Sequence, residues 1–253
     1  MRRGGARVRA VPEAVPKVVT KAVPEVVSLA AEVPDDEVLT RAAVTVATAA
    51  PPSTLLIACG ALAREILAVI EINGLPGMAL ECLPATLHNR PVHIPEAVRD
   101  KVRAARARGV ENIHVVYADC GTGGLLDRVC EEEGVARIAG PHCYAFFDGL
   151  DAFAARAEEE MGAFFLTDFL ARQFETLIWK GMGLDRHPDL RNLYFGNYDR
   201  VVHLAQTDDP ALDVKARAAA DRLGLRYVRR ATGYGELADF VKAAAVQAGG
   251  PVG

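Results

Sequence analysis

The 253 residues contain no apolar run approaching the ~20 residues that a membrane span requires, and stretches such as 54–63 fall far short of it. A transmembrane reading is excluded. Nor is there an excess of basic charge: 29 Lys and Arg against 33 Asp and Glu give a formal net charge of −4 and a pI near 5.9, which argues against a nucleic-acid footprint. No continuous apolar signal segment precedes the five cysteines, and their odd number argues against a disulfide framework. The chain also lacks Cys-x-x-Cys, His-Glu-x-x-His and the Gly-Lys-Ser/Thr end of a Walker loop. The cysteines therefore read as reduced thiols in a cytoplasmic protein. At 51% hydrophobic and 25% charged, what remains is an ordinary globular composition, long enough for one large domain or two small ones.

The first fifty residues differ from the rest. Four arginines stand in the first nine positions, and Val-Pro pairs recur at Pro12, Pro16, Pro24 and Pro34. Proline removes backbone donors and pushes its predecessor to extended geometry, so residues 1–52 are expected to be a flexible Pro/Val/Arg-rich tail hinged at Pro51-Pro52. From Ser53 onward strands alternate with helices. Short apolar runs at 54–59, 78–83, 112–118 and 135–139 read as four strands, separated by segments with helical spacing. A more helical stretch surrounds a strand at 163–166, and strands at 200–205 and 225–229 flank a helix at 210–223. The expected fold is α/β, a mostly parallel doubly wound sheet with a helical insertion, forming a single domain over 53–253.

The informative feature is where thiols and imidazoles fall in this plan. Cys59 ends the first strand, Cys120 follows the third before Gly121-Thr122-Gly123-Gly124, and His142-Cys143 follow the fourth. His88 lies in the loop after the second. In an open parallel sheet, ligands bind outside the carboxyl ends of the strands, so four consecutive strands would deliver a soft donor to one edge. Cys82, within a strand, and Cys130, within a helix, read as core residues, and His93, His114, His187 and His203 as structural.

Three thiolates and one imidazole suit tetrahedral Zn²⁺, although Cys/His sets also suit iron, cobalt, nickel or copper(I). Without metal, Cys59 or Cys120 at a helix N-terminus would be a nucleophile whose pKa the helix lowers; Asp119 opposes this at Cys120 and favours a ligand role there. The glycine-rich loop offers a phosphate cradle as a rival, but in neither nucleotide-binding register. The corrinoid lower-ligand pattern Asp-x-His-x-x-Gly is absent.

The strings Ile57-Ala58-Cys59-Gly60, Leu87-His88-Asn89-Arg90-Pro91, Asp119-Cys120-Gly121 and His142-Cys143, in this order, resemble an uncharacterised family of prokaryotic proteins catalogued as a domain of unknown function. Members of that family are encoded near corrinoid-dependent methyltransferases acting on methylamines, so the resemblance implies a part in one-carbon transfer and a metal site of Cys59, His88, Cys120 and Cys143, with His142 as the alternative imidazole. Two readings follow. The protein is a zinc-dependent methyltransferase-like enzyme, in which Asn89, Arg90 and Tyr144 bind a small-molecule substrate and Phe146 and Phe147 exclude water; or the same site delivers a metal or cofactor to a corrinoid protein or methyltransferase without catalysis. A plainer reading is an interaction module with buried cysteines. The helix bearing Trp179 and the Phe164-Phe165 pair are candidates for a homo-oligomer surface.

Overall fold

The computed structural model describes residues 25–28, 33–47 and 52–248. The chain enters through β1 (Glu25–Ser28), α1 (Asp36–Arg41) and β2 (Val44–Ala47). Residues 36–47 therefore belong to the fold, not to a tail that ends at residue 52. Asp35 caps α1 by accepting the Glu37 N–H at 2.8 Å, and Leu39, Val44 and Val46 are buried in the main core. The apolar alternation of 44–47 outweighs the preceding Val-Pro punctuation because β2 can add to a free sheet edge.

β3 (Thr54–Cys59) and β4 (Met78–Leu83) are buried throughout, the signature of strands covered on both faces. β4 tolerates Glu81 because Lys101 and Arg108 meet its carboxylate at 2.8 and 2.5 Å. Between the two strands a short 3₁₀ turn leads into α2 (Ala63–Ile72). α3 (Ile94–Ala107), with proline in its first turn, leads to β5 (Ile113–Val116), and α4 (Leu125–Glu133), bounded by left-handed Gly124 and Gly134, leads to β6 (Ala136–Arg137). The sheet order is β1-β2-β4-β3-β5-β6, parallel except where β2 meets β4. Helices α3 and α4 pack together, and α2 packs with the helix Gly235–Ala248. The mostly parallel α/β architecture is thus the expected one. Connections leave β3 and β5 in opposite directions, which opens a crevice between their carboxyl ends.

The remaining strands do not extend this sheet. After α5 (Cys143–Asp148) and α6 (Leu150–Ala155), β7 (Ala163–Thr167) pairs in parallel with β8 (Arg200–Ala205), and β8 with β9 (Arg226–Ala231), as a separate three-stranded sheet. The helical stretch expected after the strand at 163–166 divides into α7 (Asp168–Arg172) and a π-helical segment at Phe174–Lys180. α8 (Leu190–Phe195), α9 (Pro210–Leu223) and α10 (Gly235–Ala248) complete the chain. Among the described residues no helix is long and apolar enough to cross a membrane.

The aromatic residues expected to face a second copy are engaged internally. The Arg222 guanidinium lies 3.8 Å from the Trp179 ring centroid, Phe164 packs edge-on to Phe195, and Phe165 packs against Tyr144.

One buried acid makes stability depend on pH. Glu65, on α2, has a buried oxygen with no hydrogen-bond partner and an ion pair of 3.9 Å to Arg172. Burial, together with the charges of Asp168 and Asp36 and against the pull of Arg172, raises its pKa to about 7. The folded state therefore holds a proton that the unfolded chain releases near pH 4.5, and stability falls as pH rises from about 4.5 to about 7, by up to about 3 kcal/mol. Urea unfolding at pH 5 and pH 8 should show this loss, and Glu65→Gln should flatten it; an unchanged slope in the variant would assign the pH dependence to other groups.

Candidate functional site

The crevice between β3 and β5 opens into a cavity of about 230 Å³. Cys59, His88, Cys120 and Cys143 all line it, as do Asn89 and Tyr144. The local folding explains the convergence. Cys59 ends β3 and its sulfur accepts the Ala61 N–H at 3.4 Å, capping the 3₁₀ turn. His88 sits in a 3₁₀ turn at Ala85–Asn89, where successive side chains diverge by a third of a turn. That turn brings His88 inward and leaves Arg90 exposed and outside the lining, so Arg90 is not placed to orient a substrate in the cavity. Phe146 lines the cavity, whereas Phe147 is buried against it with ring centroids 5.0 Å apart.

The loop after β5 carries the strongest constraint. Cys120 has φ of 50°, the only left-handed non-glycine residue among those described. Its N–H donates to the Pro141 carbonyl at 2.8 Å and the Asp119 N–H to Gly140 at 3.0 Å, so the main chain ties the Cys120 loop to the segment that delivers Cys143. The Asp119 carboxylate accepts the N–H groups of Gly121, Gly123 and Gly124 at 3.2, 3.2 and 2.8 Å and the Thr122 hydroxyl at 2.7 Å. Partial burial would raise the pKa of Asp119, but these donors outweigh it and hold it low. A phosphate cradle is therefore ruled out as the loop stands, because its donors already serve a carboxylate.

Electrostatics separates the three thiols. Burial pushes Cys59 up to about 11, only partly offset by the Ala61 N–H and Tyr117, and pushes Cys143 well above the ordinary thiol value, reinforced by Cys120 and Cys59. The expected helix-terminal lowering at Cys59 is thus overridden by desolvation. His88 Nδ1 lies 3.6 Å from the Cys59 sulfur and 3.3 Å from the Ala85 carbonyl, and its ring stacks on Tyr117. Burial works against the imidazolium, but hydrogen bonding and charge attraction from Cys120, with the Ala85 carbonyl, outweigh it and raise the His88 pKa. The direct sulfur neighbour of His88 is thus Cys59, while half-buried Cys120 lines the same cavity. His142 lies outside the lining: its ring packs 5.0 Å from both Tyr144 and Phe153, and burial lowers its pKa. Cys82 and Cys130 are buried in the core, as expected. Among the described residues, no group of three or more His, Cys, Asp and Glu side chains is arranged to hold a metal ion. The four donors share a cavity without forming a coordination shell.

Several cavity residues carry no sequence signal. Tyr117 follows β5, and Phe164, Thr167, Leu170, Leu177, Ile178 and Met182 arrive from the second sheet and its helices. His203, whose sequence neighbours offer no partner, is fully buried in β8 with Nε2 2.9 Å from Asp168 and Nδ1 3.1 Å from the Tyr227 hydroxyl. His114 likewise has a partner, Asn112, at 2.9 Å.

Compared with curated proteins and with solved structures, the chain matches none. A family match spans residues 82–241 and so includes His88, Cys120 and Cys143, while Cys59 precedes it. The chain belongs to the family described as protein of unknown function (DUF1638).

Proposed function

We propose that the protein is an enzyme transferring a small group through the Cys120 sulfur, with His88 as proton partner. The observation that carries this is half-buried Cys120, held in a left-handed, main-chain-clamped loop, sharing one cavity with His88 beside the sheet crevice. His88 takes the thiol proton as Cys120 Sγ attacks the carbon of a bound donor; the C–S bond forms, the bond to the leaving group breaks with its electron pair, and His88 returns the proton to that group. An acceptor nucleophile then attacks the same carbon and the C–S bond breaks with its pair on Cys120. Cys59 and Cys143, held protonated by burial, line the site without competing. Tyr144 and Asn89 remain the substrate-binding candidates. The resemblance to proteins encoded beside corrinoid methyltransferases makes a methyl or other one-carbon unit the first choice of group and a corrinoid protein the first choice of partner.

A second reading is favoured by the arrival of all three strand-end cysteines and His88 in one cavity. Here the four donors close on a thiophilic ion, zinc in the first place, for catalysis or for delivery to a methyltransferase. Their chemistry suits such an ion, while their present placement requires side-chain movement and, at Cys59 and Cys143, loss of protons. One experiment separates the two. Iodoacetamide labelling of metal-free protein at pH 7, mapped by mass spectrometry, should fall first on Cys120, and His88→Gln should slow it about 10²-fold. Labelling no faster than that of an unperturbed thiol would remove the first reading. Stoichiometric zinc retained after dialysis and lost in Cys120→Ser and Cys143→Ser would establish the second.

A further inference from the structure

The cavity has two chemically distinct faces. Cys59, His88, Cys120 and Cys143 stand at the carboxyl edge of the first sheet, whereas another part of the lining, including Leu170, Ile178 and Met182, comes from the second half of the chain. Neither face carries an Asp, Glu, Lys or Arg side chain. The nearby loop N–H groups are occupied by Asp119, and Arg90 lies outside. His88 is the one lining side chain that can carry positive charge, and its Nδ1 is engaged by the Cys59 sulfur and the Ala85 carbonyl. A carboxylate or phosphate entering here would lose its hydration with no free cation to compensate, and an ammonium would find no carboxylate. Volume narrows the class further. A cavity of roughly 150 Å³ lined by Leu, Ile and Phe holds benzene, so about 230 Å³ admits a ring or branched chain carrying one further group. That space is below the roughly 300–1,000 Å³ of pockets that bury drug-sized ligands.

We infer that the cavity binds a small uncharged molecule with an apolar body, the body lying on Leu170, Ile178 and Met182 and its reacting group turned toward Cys120. The direction of the reacting group rests on the proposed role of Cys120; the class of molecule does not. The widened π-helical segment supplies Ile178, and Met182 lies two residues beyond its end, so these two residues set the length of body that fits.

The test uses the full chain and three probes of one shape: toluene, benzoate and benzylammonium. Saturation-transfer NMR and thermal shift should detect saturable binding of toluene and neither ion. Ile178→Trp, which fills the wall, should abolish toluene binding, and Met182→Ala, which enlarges it, should admit propylbenzene that the wild type excludes. Absence of toluene binding to the wild type overturns the inference, as does benzoate or benzylammonium binding as tightly. Toluene binding that survives Ile178→Trp, or a Met182→Ala variant with unchanged size selection, does the same. If toluene binds while Cys120 labels no faster than an ordinary thiol, the transfer role fails and the apolar site stands.

Discussion

A chain that begins at residue 53 should fail to fold. Leu39, Val44 and Val46 are buried in the same core as β3 and β4, and burying each such side chain is worth about 1.5–3 kcal/mol. Their joint loss rivals the roughly 5–15 kcal/mol net stability of a domain. The deletion also strips β2 from β4, where Val44 to Ala47 pair antiparallel with Cys82 to Ala79, and so exposes an apolar strand edge. It removes Asp36, whose carboxylate lies 2.7 Å from both Arg64 and Arg172. The damage reaches the cavity, because Gly60, next to Cys59, packs so closely on the Leu39 carbonyl that a Cβ there would overlap it. Circular dichroism and urea unfolding of residues 1–253, 33–253 and 53–253 check this. Cooperative unfolding of the shortest chain at the wild-type midpoint would show that 33–47 contribute nothing; the intermediate chain, which lacks only β1 among the described elements, should still unfold cooperatively.

Replacing Asp119 with alanine should both destabilise the protein and silence Cys120, and added sulfate should restore part of each. The carboxylate accepts three backbone N–H groups and one hydroxyl; on its removal water reaches the exposed Gly121 and Gly123 N–H groups, while the part-buried Gly124 N–H and Thr122 hydroxyl lose their partner, at a cost of about 1–3 kcal/mol. The loop then relaxes from the left-handed geometry that presents Cys120, so labelling at that thiol should drop toward that of an unstructured cysteine. The vacated donors resemble an anion nest at a helix start. Urea midpoints and labelling rates measured with and without sulfate decide the matter. If chloride at matched ionic strength restores the variant as well as sulfate does, the donors do not form a specific anion site.

Much of the fold was legible because strand burial writes itself into short apolar runs. Thr54–Cys59, Met78–Leu83, Arg200–Ala205 and Pro210–Leu223 fall where the pattern puts them. The convergence of the donors was legible for a related reason: parallel strands place their ends on one edge, so strand-end cysteines meet whatever their spacing. Pairing partners were not. Nothing local to 163–167, 200–205 and 226–231 states that they prefer one another to the first sheet. The segment 33–47 was hidden by prolines, although Pro34-Asp35 with Asp36 and Glu37 behind it is a helix-start signal in its own right. The thiol pKa values depend on burial, which turned the expected lowering at Cys59 into a rise. The Asp168, His203 and Tyr227 network joins residues 35 and 24 positions apart, beyond the reach of any spacing rule.

The split of the cavity between two stretches of chain bears on how such proteins diverge. All four soft donors lie within residues 59–143, and a hydrocarbon part of the lining lies within 164–182. Drift in the later stretch can alter which molecule is admitted while the sulfur chemistry of the earlier stretch stays intact, and the reverse holds for drift in the loops around Cys120. If the proposed chemistry holds, descendants of one ancestral gene can therefore part company in the molecule they admit before they part company in reaction.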